Sequence, residues 1–227
     1  MALQAEGIGT DPEVIDRSDG GITWLAHPEE TMQRASHALV GERGAWLVDP
    51  VDADGLDDLL ASFGPVAGVV VAFDRHRRDA VSIADRHGVA VYVPEGLDGT
   101  ADQLREAGAD VERFDDTLAE SGYRAIPVRM GRFWREVALF DGETLVVPEA
   151  VGTASYFLTA DERLGVHPML RATPPRALAG IGSERVLVGH GRGIYENADA
   201  ALADAIAGAR RRLPRLYAGN LREFLPV

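Results

Sequence analysis

Residues 69–80, Val-Val-Val-Ala-Phe-Asp-Arg-His-Arg-Arg-Asp-Ala, constrain the fold more than any other stretch. A run of β-branched and small apolar residues from Val69 to Ala72 stops at Phe73-Asp74. Helical spacing then begins, through Ala80, Ile83, Ala84 and His87. The pattern predicts a buried strand feeding a helix over 75–87, with Asp74 as its N-cap. The first turn of that helix would carry Arg75, Arg77 and Arg78, with His76 among them and only Asp79 opposing. A helix N-terminus disfavours cations. Such a turn therefore calls for compensation, from carboxylates elsewhere in the fold or from an anionic ligand.

The rest of the chain alternates in the same way. Residues 1–20 are polar and read as a loose surface segment, leaving 21–227 as one domain. Residues 22–26, 36–40 and 45–48 read as strands, the last two joined by the turn Gly41-Glu42-Arg43-Gly44. An amphipathic helix is expected over 53–63 and a strand over 89–93. The sequence Thr100-Ala-Asp-Gln103 reads as a capping box opening a short helix that closes at Gly108. Strand-like pieces follow at 111–114, 123–129, 133–140 and 144–147. Residues 150–183, with Pro168, Pro174 and Pro175, read as a long loop with one short helix. A buried strand at 185–188 ends in Gly189-His190-Gly191, and Asn197 opens a last helix to Leu213. Strands grouped at both ends, with helices between them, suggest two sheets sandwiched between helices.

Composition narrows the function. All 23 basic residues are Arg, against 36 acidic ones, for a net charge of −13. This balance argues against double-stranded nucleic acid, whose binding needs a clustered basic face. It resembles that of proteins kept soluble in high salt, where charge repulsion is screened. An acidic protein of a GC-rich genome would look similar. The absence of Cys removes disulfides, thiolate catalysis and thiolate metal sites. The N-terminus has no signal-peptide pattern, and no apolar run approaches membrane-spanning length. A cytoplasmic location without a membrane partner is expected, and a homo-oligomer stays open.

Four landmarks then resemble the metallo-β-lactamase fold over residues 22–213. They are Ser36–Val40 followed by Trp46-Leu47-Val48-Asp49-Pro50; the strand ending at Phe73; Met130-Gly131-Arg132-Phe133-Trp134; and Leu145-Val146-Val147-Pro148-Glu149 with Val188-Gly189-His190-Gly191. The resemblance implies a single-domain αββα sandwich and metal-assisted hydrolysis of an ester, thioester, amide or phosphoester. It places the family's His-x-His-x-Asp-His motif at 75–80, where three histidines become Arg75, Arg77 and Ala80. A one-residue insertion would instead make His76 the second histidine. A further family histidine becomes Arg132, and the bridging Asp becomes Glu149.

Two alternatives follow. In the first, the metal site is lost or altered, and Arg75 or Arg77 together with Arg132 pairs with Asp79 and Glu149 in place of the ion. Such a site binds a small anion or only holds the fold. In the second, His76, Asp79, Glu149 and His190 hold zinc or another divalent metal, with Asp79 and His190 catalytic. His167 could reach the site from the long loop, and Trp134 could wall a pocket. Asp49 is expected to bond neighbouring loops.

Overall fold

The computed structural model describes residues 2–224, with side-chain surroundings through residue 218. Short hairpins start the first sheet: β1 (Glu13–Ser18), β2 (Gly21–Leu25), β3 (Ala35–Gly41) and β4 (Gly44–Val48) pair antiparallel in chain order. The chain then changes to crossover connections. α1 (Leu56–Leu60) leads to β5 (Val66–Val70), α2 (Ala80–His87) to β6 (Val91–Pro94), and α3 (Asp98–Glu106) to β7 (Val111–Phe114). These strands pair parallel, so the seven-stranded sheet keeps the order of the chain.

The second sheet has the order β13-β10-β9-β8, with β8 (Arg124–Gly131), β9 (Trp134–Phe140), β10 (Thr144–Val147) and β13 (Arg185–Val188). Between β10 and β13 a two-stranded ribbon forms from β11 (Val151–Gly152) and β12 (Gly165–Val166). The long helix α4 (Ala198–Phe224) closes the chain and runs on through Pro214.

Strand alternation sorts side chains into three buried layers. On β4, Ala45 and Leu47 meet Leu56, Leu60, Ile83 and Leu104 of the first three helices. Trp46 and Val48 point the other way, into the space between the sheets, where Leu139, Val146 and Leu187 meet them. The outer face of the second sheet, with Ala138, Val147 and Val186, packs on Leu202, Ala205 and Ile206 of α4. The result is an αββα sandwich. Strands buried on both faces read as unbroken apolar runs, which is why β10 and β13 show no polar alternation. Each such side chain contributes about 1.5–3 kcal/mol on burial.

The structure departs from several local expectations. Residues 74–79 are not helical. Asp74 N–H donates to Arg135 O and Val137 N–H to Ala72 O, so residues 72–74 lie along β9 rather than entering a helix. Arg78 adopts φ 40°, a left-handed conformation that interrupts any helix started upstream. α2 therefore begins at Ala80, and Arg75, Arg77 and Arg78 precede it and do not form its first turn. Residues 13–18 are not loose: they form the edge strand β1, with Ile15 buried. α1 is shorter than expected and continues only as a 3-10 turn. α3 starts at Asp98, so Thr100 lies inside it and makes no capping box; its hydroxyl donates to Asp74 O.

Candidate metal centre

Parallel pairing places the two best-defined site residues side by side. β10 and β13 are in register at Val147 and Val188, so Glu149 and His190 each stand two residues beyond a matched strand end. Strand ends of this kind are where layered α/β folds gather functional groups. The turn at His190 needs both of its glycines. A Cβ on Gly189 would lie 1.9 Å from Pro148 O, and one on Gly191, at φ 95°, would lie 2.3 Å from Thr153 Oγ1. His190 itself is fully buried.

The third residue arrives from the first sheet. Because 72–74 pair with β9, the chain crosses between the sheets and turns back at His76, whose N–H donates to Phe73 O. His76 Nε2 lies 2.9 Å and His190 Nε2 2.8 Å from the same oxygen, Glu149 Oε2. These three residues form a group compact enough to hold one metal ion.

The far side of each ring is fixed. His76 Nδ1 is 2.9 Å from Asp49 Oδ2, and Ala72 N–H holds the other oxygen of Asp49. His190 Nδ1 donates to Met32 O at 2.8 Å. With an oxygen acceptor at each Nδ1, the proton of a neutral ring stays there and the Nε2 lone pair faces Glu149. Two lone pairs aimed at a carboxylate oxygen repel it unless protons or a cation stand between them. Orientation of ligating histidines by an acceptor on the second nitrogen is the usual support of a metal site. The donor set fits a divalent metal.

A third histidine touches the same carboxylate without joining the set. His167 follows β12, and its N–H donates to Ala150 O, so the ribbon carries it back to the site. Its Nδ1 accepts from Met169 N–H, which places the proton on Nε2, 3.3 Å from Glu149 Oε1. Burial holds its pKa down at about 4, so it is a neutral donor at pH 7.

Electrostatics follow from these contacts. Burial and the charge of Arg78 push the His76 pKa down, and Asp49 and Glu149 reverse this to a net rise. Burial alone would raise the Glu149 pKa; His190 and His76 bring it well below the usual carboxylate range. Glu136, wholly buried on β9, steadies Glu149 from behind. Its Oε1 accepts from Glu149 N–H at 2.7 Å and Ala150 N–H at 2.8 Å, and its Oε2 from Trp134 Nε1 at 2.7 Å. Burial pushes its pKa up to about 7 against the lowering pull of those donors.

Solved structures share this architecture. A fragment of a putative diflavin flavoprotein from Nostoc aligns with TM-score 0.62 at 12% identity, over 90% of this chain and 98% of its own. A metallo-β-lactamase from Pontibacter korlensis aligns with TM-score 0.57 at 17% identity, over 87% and 99%. The chain has the metallo-β-lactamase fold. The FIM-1 metallo-β-lactamase of Pseudomonas aeruginosa in its mono-zinc form also aligns, with TM-score 0.53 at 9% identity, over 88% of this chain and 96% of that one. No family model and no curated protein matches the sequence.

Against the metallo-β-lactamase fold's motif, the candidates separate. His76, Glu149 and His190 converge, His167 adjoins them, and Trp134 packs on the His167 ring at 4.9 Å between centroids. Asp79 does not converge; its Oδ2 accepts from Asp52 N–H and fixes a loop. Arg75, Arg77 and Arg132 are exposed, and none pairs with Asp79 or Glu149 among the described residues. The expected Arg–carboxylate cluster is thus absent there, because the non-helical path of 74–79 turns Arg75 and Arg77 outward.

Within this segment, the arginine that turns inward is Arg78, half-buried. It donates to the carbonyls of Ala35, Asp49 and Gly189 and not to a carboxylate. Glu136, the Met32 carbonyl and this role of Arg78 were not legible as site features. The one available signal was Glu136 itself, a carboxylate inside the apolar strand Trp134–Phe140.

Proposed function

We propose that His76, Glu149 and His190 hold one divalent metal ion, zinc by the nature of the donors, and that the protein is a metal-dependent hydrolase. The reading rests on one observation: two buried imidazoles, each locked at Nδ1 by an oxygen acceptor, direct Nε2 at a single oxygen of Glu149. Two histidines and one glutamate are a donor set of catalytic zinc sites, which keep a further position open. The mono-zinc form of FIM-1 has the same fold. When bound, the ion would supply Lewis acidity, lowering the pKa of water and polarising the oxygen of an ester, thioester, amide or phosphoester.

The protein's own residues do the rest. Asp49 and Met32 O hold the rings in orientation, Glu136 fixes the backbone of Glu149, and the His167 Nε2 proton engages Glu149 Oε1. That last contact leaves Oε2 facing the two ligating rings.

A metal-free ionic cluster is the competing reading. It is favoured by the raised His76 pKa and the lowered Glu149 pKa, which together describe a pair that stays charged without an ion. Calorimetric titration of chelator-treated protein with zinc separates the two. One equivalent bound by wild type and none by His190→Ala is the expected result, with ester hydrolysis following the same pattern. No saturable zinc binding by wild type would refute the metal site and favour the ionic cluster.

A further inference from the structure

Next to the site, the surface of this strongly acidic protein carries a cation and apolar side chains together. Contacts lead outward from Glu149 to His167, from His167 to the Trp134 ring, and from Trp134 to the Arg75 guanidinium, 5.8 Å from its centroid. Arg75 also lies over Phe73 at 5.5 Å and donates through Nη2 to Phe133 O at 2.6 Å. Among the described residues its one carboxylate neighbour is Asp74 at 3.8 Å, too long for a hydrogen bond. The guanidinium is therefore oriented by stacking, with its remaining N–H groups uncommitted, and its side chain is 52% exposed. An oriented guanidinium with a free edge suits a planar oxyanion.

Two segments flank this row. Phe133, at the tip of the β8–β9 hairpin, is 73% exposed, and Met169, two residues after His167, is 61% exposed. Arg132 stands over the Phe133 ring at 5.4 Å. Phe133 and Met169 thus offer apolar surface beside the oriented Arg75 guanidinium and beside His167.

We infer that Arg75 is a specificity-determining residue and that the site accepts an organic anion with an apolar body. The oxyanion, carboxylate or phosphate, pairs with Arg75, the body lies against Phe133 and Met169, and the bond to be cleaved lies on the side of His167, the most exposed of the histidines on Glu149. The substrate class rests on the hydrolase reading; the anion site is testable without it.

The test measures binding of 4-phenylbutyrate, phenyl phosphate and the neutral 4-phenylbutanol to the metal-free full-length protein by calorimetry. One charge-assisted pair predicts that an anion binds about tenfold more tightly than the alcohol. The tighter of the two anions identifies the oxyanion. Arg75→Gln should abolish the preference. Arg75→Glu should reverse it, so that 4-phenylbutylamine now binds in preference to the acids, a gain that a misfolded variant does not produce. Equal affinities for acids and alcohol in wild type, or a preference that survives Arg75→Gln, would overturn the inference. With zinc added, Arg75→Gln should raise KM for an anionic nitrophenyl ester and leave kcat and zinc affinity unchanged. Failure of zinc to bind would sink the hydrolase reading while leaving the calorimetric result on the anion site intact.

Discussion

Replacing Glu136 tests how the site is held together. This side chain is fully buried and satisfies three donors: the N–H groups of Glu149 and Ala150, and the Trp134 indole. Glu136→Ala leaves all three without a partner in an interior that water does not reach. Each stranded donor costs about 1–3 kcal/mol, and relaxation recovers part of the sum, so a loss of about 3–5 kcal/mol is expected. Glu136→Gln keeps the shape. Its amide oxygen still accepts from both backbone N–H groups, while its NH₂ opposes the indole N–H, for about 1–2 kcal/mol.

Zinc affinity should separate the two variants further, because only the alanine frees the backbone that presents Glu149. Loss of support for a metal ligand lowers affinity by about 10–100-fold. Urea unfolding and zinc competition at pH 8 provide the measurement, since the Glu136 carboxyl, held up at about 7, is ionised there. If Glu136→Ala stays within about 1 kcal/mol of wild type and binds zinc equally well, Glu136 does not position the site. If the alanine variant fails to fold, the glutamine variant decides through stability: it should lose about 1–2 kcal/mol at the indole N–H, and no loss would refute the role given to Glu136.

Two further outcomes are expected. His37 is buried, and burial holds its pKa down at about 4, so below pH 6.5 the unfolded chain takes up a proton that the native state refuses. Stability should therefore fall as pH drops from 6.5 toward 4, by about 2 kcal/mol between pH 7 and 5 from this group. Urea unfolding should show that part missing in His37→Gln; identical losses in both proteins would refute it. The net charge of −13 with no Lys predicts a melting temperature that rises with KCl into the molar range; a flat or falling trend would remove the case for salt adaptation.

The parts of the architecture that the amino-acid pattern carries are those built on periodic burial. β4, β10 and β13 read as unbroken apolar runs because both faces are covered, and their ends at Asp49, Glu149 and His190 followed directly. Gly189 and Gly191 flag His190 for a steric reason, since neither neighbour has room for a Cβ. β1 was missed because an edge strand turns one side to water, leaving Ile15 as its one buried residue. The path of 72–79 was missed because it is set by hydrogen bonds to β9, more than 60 residues downstream, and no local spacing reports them.

The same misplaced path misassigned the arginines. A helix begun at residue 75 was expected to bring Arg75 or Arg77 to the carboxylates; the turn that actually forms presents His76 inward and stacks Arg75 on Trp134. Arg78 then takes the buried position in a left-handed conformation that a non-glycine residue adopts only at a cost of about 1–2 kcal/mol. What offsets that cost is the guanidinium fork across the carbonyls of Ala35, Asp49 and Gly189. Asp49 and Gly189 lie on the segments that present the Asp49 carboxylate and His190, and Ala35, at the start of β3, donates its N–H to Gly189 O. The inward arginine therefore ties the strand ends together from behind, with main-chain oxygens as its partners. Asp49 is left on the Nδ1 side of His76, where it orients the ring, and Glu149 on the Nε2 side of both His76 and His190.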